Sequence, residues 1–147
     1  MIAPEYSCKP EIPAPAASNM KDLKPEFESA KIKHIVFKSK IKSYLYGTDT
    51  PLEPIINYRQ CSFGIWIYDI GLNRFNNLPE MHQLEKVHRE IHEYAAQLVN
   101  LKDANRTEAA LAGLPRLEEI AENIVKLLDK IQARAEAEWV KEQAVYF

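Results

Sequence analysis

The sequence predicts an all-α fold: an antiparallel four-helix bundle of three long helices and one shorter, cysteine-bearing helix, preceded by a disordered N-terminal tail. Three observations carry this expectation. Apolar residues recur at three- and four-residue spacing over three long stretches, the period of an amphipathic helix. The one run that could be a strand, Cys61-Ser-Phe-Gly-Ile-Trp-Ile-Tyr68, has no second strand to pair with, and a lone strand is not stable. Gly47, Pro51, Pro54, Gly71 and Pro79 fall at the ends of the stretches or between them. A chain of 147 residues suits one domain with one core.

Residues 1–20 contain Pro4, Pro10, Pro13 and Pro15. That density removes backbone donors and blocks helix, so a flexible Pro-rich tail is expected there, with the bundle over 21–147. The first helix opens near Asp22, a capping residue, with Pro25 close enough to the start to be tolerated. Its stripe is Phe27, Ala30, His34, Phe37, Ile41, Tyr44 and Leu45, and Gly47 is placed to end it. Pro51 and Pro54 mark a connection. The Cys61 segment is then read as a short helix ending near Gly71. A third helix is expected from about Asn77 to Leu101 with Pro79 in its first turn. Its stripe is Met81, Leu84, His88, Ile91, His92, Ala95, Leu98 and Val99. The last helix is expected from about Asn105, with Asn105 and Glu108 at capping-box spacing. It runs through Leu117, Ile120, Ala121, Ile124, Leu127, Leu128 and Ile131 to about Gln143, and Pro115 either kinks it or marks its true start.

Composition excludes several classes. Lys+Arg 19 against Asp+Glu 21 gives −2, which is no field for nucleic acid or an anionic membrane. Two cysteines build no disulfide framework. There is no 18-residue apolar run and no basic-then-apolar leader, so neither membrane insertion nor secretion is expected, and the chain reads as cytoplasmic. Four glycines leave little for a phosphate cradle.

The chemistry must therefore come from imidazole and thiol. Three of the four histidines lie on apolar stripes: His34 on the first helix, and His88 and His92 one turn apart on the third. His82, beside Lys86 and Arg89, faces solvent. An inward imidazole needs partners for both ring nitrogens. A pair on one apolar face needs two such sets, unless one Zn²⁺ takes a nitrogen from each. Cys61 is either an ordinary buried small residue or the thiolate of a fourth position.

At these residues the chain resembles the chemoreceptor zinc-binding (CZB) domain, a bacterial helical-bundle module. The pieces are His34-x-x-Phe37-Lys38 followed by Gly47, then Cys61-x-Phe63-Gly64-x-Trp66-x-Tyr68, then Leu78-Pro79 followed by His88-x-x-x-His92. Together they span about residues 27–130. Ile65 stands where the family often has a basic residue. The resemblance implies that His34, Cys61, His88 and His92 hold one zinc per chain, with Phe37, Phe63, Gly64, Trp66 and Tyr68 packing around the site. It implies a regulatory rather than enzymatic domain of bacterial signal transduction, linked to chemotaxis or cyclic-di-GMP. It also implies a homodimer and a Cys61 that senses zinc or an oxidant such as hypochlorous acid. As a stand-alone member the chain would act on a signalling partner in trans. A haemerythrin-like metal or O₂ carrier is the rival bundle. It needs about five histidines and bridging carboxylates, more than the three inward histidines here. A closed Cys/His₃ shell leaves no open position for hydrolysis. A purely structural zinc in an interaction module is the remaining alternative. Cys8, in the tail, reads as a free thiol, and Trp139 with Val145-Tyr146-Phe147 as a terminal apolar surface, either packed or for a partner.

Overall fold

The computed structural model describes residues 20–145. The expected tail up to residue 19, Cys8, Tyr146 and Phe147 lie outside them. The described chain is helical throughout its core: α1 (Met20–Leu45), α2 (Glu53–Ile56), α3 (Ser62–Trp66), a π-helical turn (Ile67–Gly71), α4 (Leu72–Arg74), α5 (Pro79–Asp103), α6 (Thr107–Ala112) and α7 (Leu114–Val145). Residues 62–74 act as one composite helix, so the order is long, short, long, long.

Neighbouring members run antiparallel, as short contacts show. His34 meets Phe63 while Phe27 meets Trp66 and Phe75, so 62–74 descends along α1. Lys31 pairs with Asp129 at 2.5 Å and Lys38 with Glu118 at 3.1 Å, so α7 also opposes α1. Arg134–Glu80 and Tyr94–Gly113 contacts place α7 antiparallel to α5. The result is the up-down-up-down bundle expected of short connections.

Each stripe is inside. Every residue expected on the third stripe is buried in α5. On α1, Phe27, Ala30, His34, Phe37, Ile41 and Leu45 are buried, with Leu23 added at the start and Tyr44 half-buried. On α7 the expected set is buried except Leu127, which is half-buried. Gly47 ends α1 with φ +100°, where an L side chain would be strained. Its N–H bonds to Tyr44 O and that of Thr48 to Ser43 O, the paired bonds of a Schellman cap. Pro79 is the first residue of α5, where its missing N–H is not needed.

Local details differ from expectation at helix starts. α1 is already helical at Met20, the first described residue, so Asp22 lies within it rather than before it, and Pro25 is inside the helix. Asn105 caps nothing: it adopts φ +64°, and α6 starts after Arg106 with no side-chain cap. Asparagine tolerates the left-handed region, and here that use outcompetes capping. Helix breaks at Gly113 and restarts as α7, with Pro115 in the first turn, so Pro115 marks a true start rather than a kink.

Candidate metal centre

Two long helices and one connector build the site. α5 presents His88 and His92 inward from successive turns, with ring centroids 4.6 Å apart. Cys61 sits just before α3 in extended backbone (φ −86°, ψ 151°) and caps that helix: Gly64 N–H donates to Cys61 Sγ at 3.1 Å. The sulfur lies 3.4 Å from His88 Nε2 and 3.3 Å from His92 Nε2. Among the described residues these are the three side chains that bring potential ligand atoms together, all within 4.8 Å of one another, and all are buried. No carboxylate takes part.

Gly64 has a steric reason to be glycine. A Cβ there would stand 1.9 Å from Tyr58 O and 3.0 Å from His88 Cε1. The backbone of the connector thus lies directly on α3, which keeps the sulfur against α5.

The imidazoles are oriented from behind. His92 Nδ1 donates to Ile55 O at 2.6 Å, from the buried face of α2, which leaves Nε2 as the lone pair aimed at Cys61. Phe37 packs on His92 at 4.4 Å between centroids, and Phe63 stands edge-on to His88 at 5.4 Å. Trp66 stacks on Phe63 and donates from Nε1 to Glu26 at 2.6 Å, tying α3 to α1. Tyr68 lies at the rim, its hydroxyl donating to Glu85 at 2.5 Å and its ring under the Arg59 guanidinium.

His34 is buried next to this group but outside the three-residue cluster. Its ring lies 5.4 Å from Phe63, and its Nε2 donates to Ala121 O on α7 at 3.3 Å. The structure therefore brings together three of the four residues that the resemblance implies and holds the fourth on a neighbouring helix. His82 is on the opposite face, exposed, with Nε2 at 2.8 Å from Asn76 O.

Electrostatics keep the nitrogens available. Burial lowers the pKa of His34 and His92 to about 4 each; it lowers His88 to about 2, reinforced by the neighbouring His92 and His34. All three are neutral at pH 7, the form that binds a metal. Burial also pushes the Cys61 thiol up, against the pull of the Gly64 and Phe63 N–H groups.

This donor set fits a zinc ion. Tetrahedral zinc with ordinary bond lengths separates sulfur from nitrogen by about 3.5 Å, close to the 3.3 and 3.4 Å found. His34 Nδ1 is buried without a hydrogen-bond partner while its Nε2 donates to Ala121 O, and such an orphan lone pair is uncommon in a settled core. Thiolate with imidazole favours zinc over magnesium or calcium.

Sequence reasoning missed the backbone acceptors, the carbonyls of Ile55 and Ala121 and the close approach of Tyr58 O. The connector has no periodicity to place it. The one hint was the apolar pair Ile55-Ile56 beside Pro54.

No curated protein matches the chain, and no solved structure matches it. A family model described as the chemoreceptor zinc-binding domain matches residues 34–99. That range lies inside the 27–130 over which the motifs were read, and it begins at His34. It takes in Cys61, His88 and His92, the residues that form the cluster. Across residues 34–99 the chain carries a chemoreceptor zinc-binding domain.

Proposed function

We propose that this domain is a cytoplasmic zinc-dependent regulator of bacterial signalling, binding one zinc per chain through Cys61, His88, His92 and His34. The observation that carries the reading is a buried thiol facing two neutral imidazole nitrogens at 3.3 and 3.4 Å. His34 becomes the fourth ligand through Nδ1, the lone-pair nitrogen left without a partner while Nε2 donates to Ala121 O at 3.3 Å. The zinc supplies charge to hold Cys61 as thiolate. The protein's own residues do the rest: Ile55 O fixes the His92 tautomer, Gly64 N–H supports the sulfur, and the aromatic shell excludes water.

A zinc-held thiolate suits oxidant sensing. Reaction with hypochlorous acid gives a sulfenic acid and releases chloride, replacing a strong metal ligand by a weak one. α3 would then loosen from α5. The signal passes to a second copy of the chain and to a partner in trans. For the second copy, the outer face of α1 offers Ile32, Ile35 and Val36, exposed by 60%, 57% and 40%.

Elemental analysis should give one zinc per chain, reduced to background in His88→Ala. Purified zinc-loaded protein treated with one equivalent of hypochlorous acid should show sulfenic acid at Cys61 and lose zinc. If Cys61→Ser retains zinc and responds to the oxidant like the wild type, the sensing role is refuted. Sedimentation should give a dimer that Ile32→Glu/Ile35→Glu converts to monomer.

A further inference from the structure

The two sides of α7 are finished differently. Toward α1 its carboxylates are used: Asp129 holds Lys31, and Glu118 holds both Lys38 and Lys42. Toward α5 lies an open groove of about 390 Å³. Its floor is the half-buried pair Val87 and Leu127, and its walls carry Lys86, Lys126 and Lys130 against a single carboxylate, Glu90. No carboxylate in the described structure is bonded to any of these three ammonium groups.

The groove has the periodicity of a helix seat. Its lining positions are 83, 86, 87 and 90 on α5 and 123, 126, 127 and 130 on α7, each spaced three, one and three. In both sets the first, second and fourth side chains are exposed and the third is half-buried. The two rows run side by side for about 10 Å, or two helical turns. This is the ridge-and-groove geometry into which a further helix packs. Three lysines with one glutamate select the charge of the occupant.

We propose that the α5–α7 groove docks an amphipathic helix of a partner protein, with apolar residues on Val87 and Leu127 and carboxylates paired to Lys86, Lys126 and Lys130. The groove lies outside the metal centre, because its lining residues are on the opposite edge of the stripe that carries His88 and His92. Docking there would connect α5, which carries two of the cluster residues, to a partner.

The probe is a capped synthetic helix of about 14 residues with leucine at helical spacing and glutamate on both flanks. A second peptide has glutamine at every glutamate, and inorganic tripolyphosphate serves as a free anion. Each is titrated into zinc-loaded, ¹⁵N-labelled full chain. The glutamate peptide should shift amides of residues 83–90 and 123–130. It should bind about tenfold more tightly than the glutamine peptide, and about tenfold more weakly to Lys126→Glu/Lys130→Glu. These substitutions are exposed, and unchanged zinc content and helix signal verify the fold. Leu127→Ser should weaken binding as well. The proposal is overturned if no localised shifts occur, if the two peptides bind alike, or if tripolyphosphate occupies the groove as tightly as the peptide. The last result would make it a free-anion site. Zinc content is read separately, so failure here leaves the metal centre untouched.

Discussion

Two layers of this bundle are built on opposite principles, although they are one helical turn apart. At Leu84, Ile124, Leu128 and Ile131 the core is aliphatic and complete, with all four side chains fully buried. At His34, His88 and His92 it is polar and, in the protein chain alone, incomplete. These are the buried polar residues of the described chain, and two of their nitrogens lack partners. The aliphatic layer is stabilised by removing surface from water. The histidine layer buries imidazoles and a thiol, which costs free energy unless they are hydrogen-bonded or hold a metal. On the proposed zinc assignment, stability that is independent of metal sits beside stability that depends on it.

Metal removal breaks the comparison most strongly. Chelating zinc, or replacing His88 by alanine, should lower unfolding free energy by about 4 kcal/mol where free zinc exceeds its dissociation constant about a thousandfold. Denaturant titrations with and without chelator measure this, and a stability insensitive to chelator would mean that the histidine layer is complete without metal. Leu128→Ala should cost about 2–5 kcal/mol, and the loss should be the same with zinc or chelator. A loss that changes with zinc would show the two layers to be coupled.

Acid should separate them further. In the metal-free chain the folded-state pKa values of His34 and His92 are lowered to about 4 by burial. The unfolded chain then binds more protons below pH 6.5. Stability is thus full above pH 6.5 and falls as pH drops toward 4, continuing below that for His88. Urea midpoints at pH 7.5, 6 and 5 should decrease in that order. The smallest effects belong to the surface. His82→Ala should keep the full zinc content, and Lys31→Ala should change stability by less than about 1 kcal/mol, as exposed ion pairs do. Zinc loss in His82→Ala would overturn the assignment of faces on α5.

The aliphatic layer was legible from sequence because burial follows period. The stripe from Met81 to Val99 was correct at every position. His88 and His92 were legible for the same reason, as polar residues at apolar positions. Cys61 was not: a short apolar run carries no period, and its role came from its neighbours Gly64 and Trp66 through a family resemblance. The turn at Asn105 was misread because asparagine serves equally as cap and as left-handed residue, and only the tertiary path of the chain selects between them. The bond from His34 to Ala121 O could not be read, since a backbone carbonyl has no letter of its own.

The π-helical turn at Ile67–Gly71 has a consequence for how this chain can vary. Leu72 N–H reaches back five residues to Ile67 O, so the composite helix holds one residue more than an α-helix of the same length. Deleting one residue from 67–71 should leave a regular helix between Cys61 and Phe75. Deleting one between His88 and His92 would turn the two imidazoles to different faces. The short helix thus has slack in its length and α5 has none. Insertions and deletions should accumulate at the first and be absent from the second.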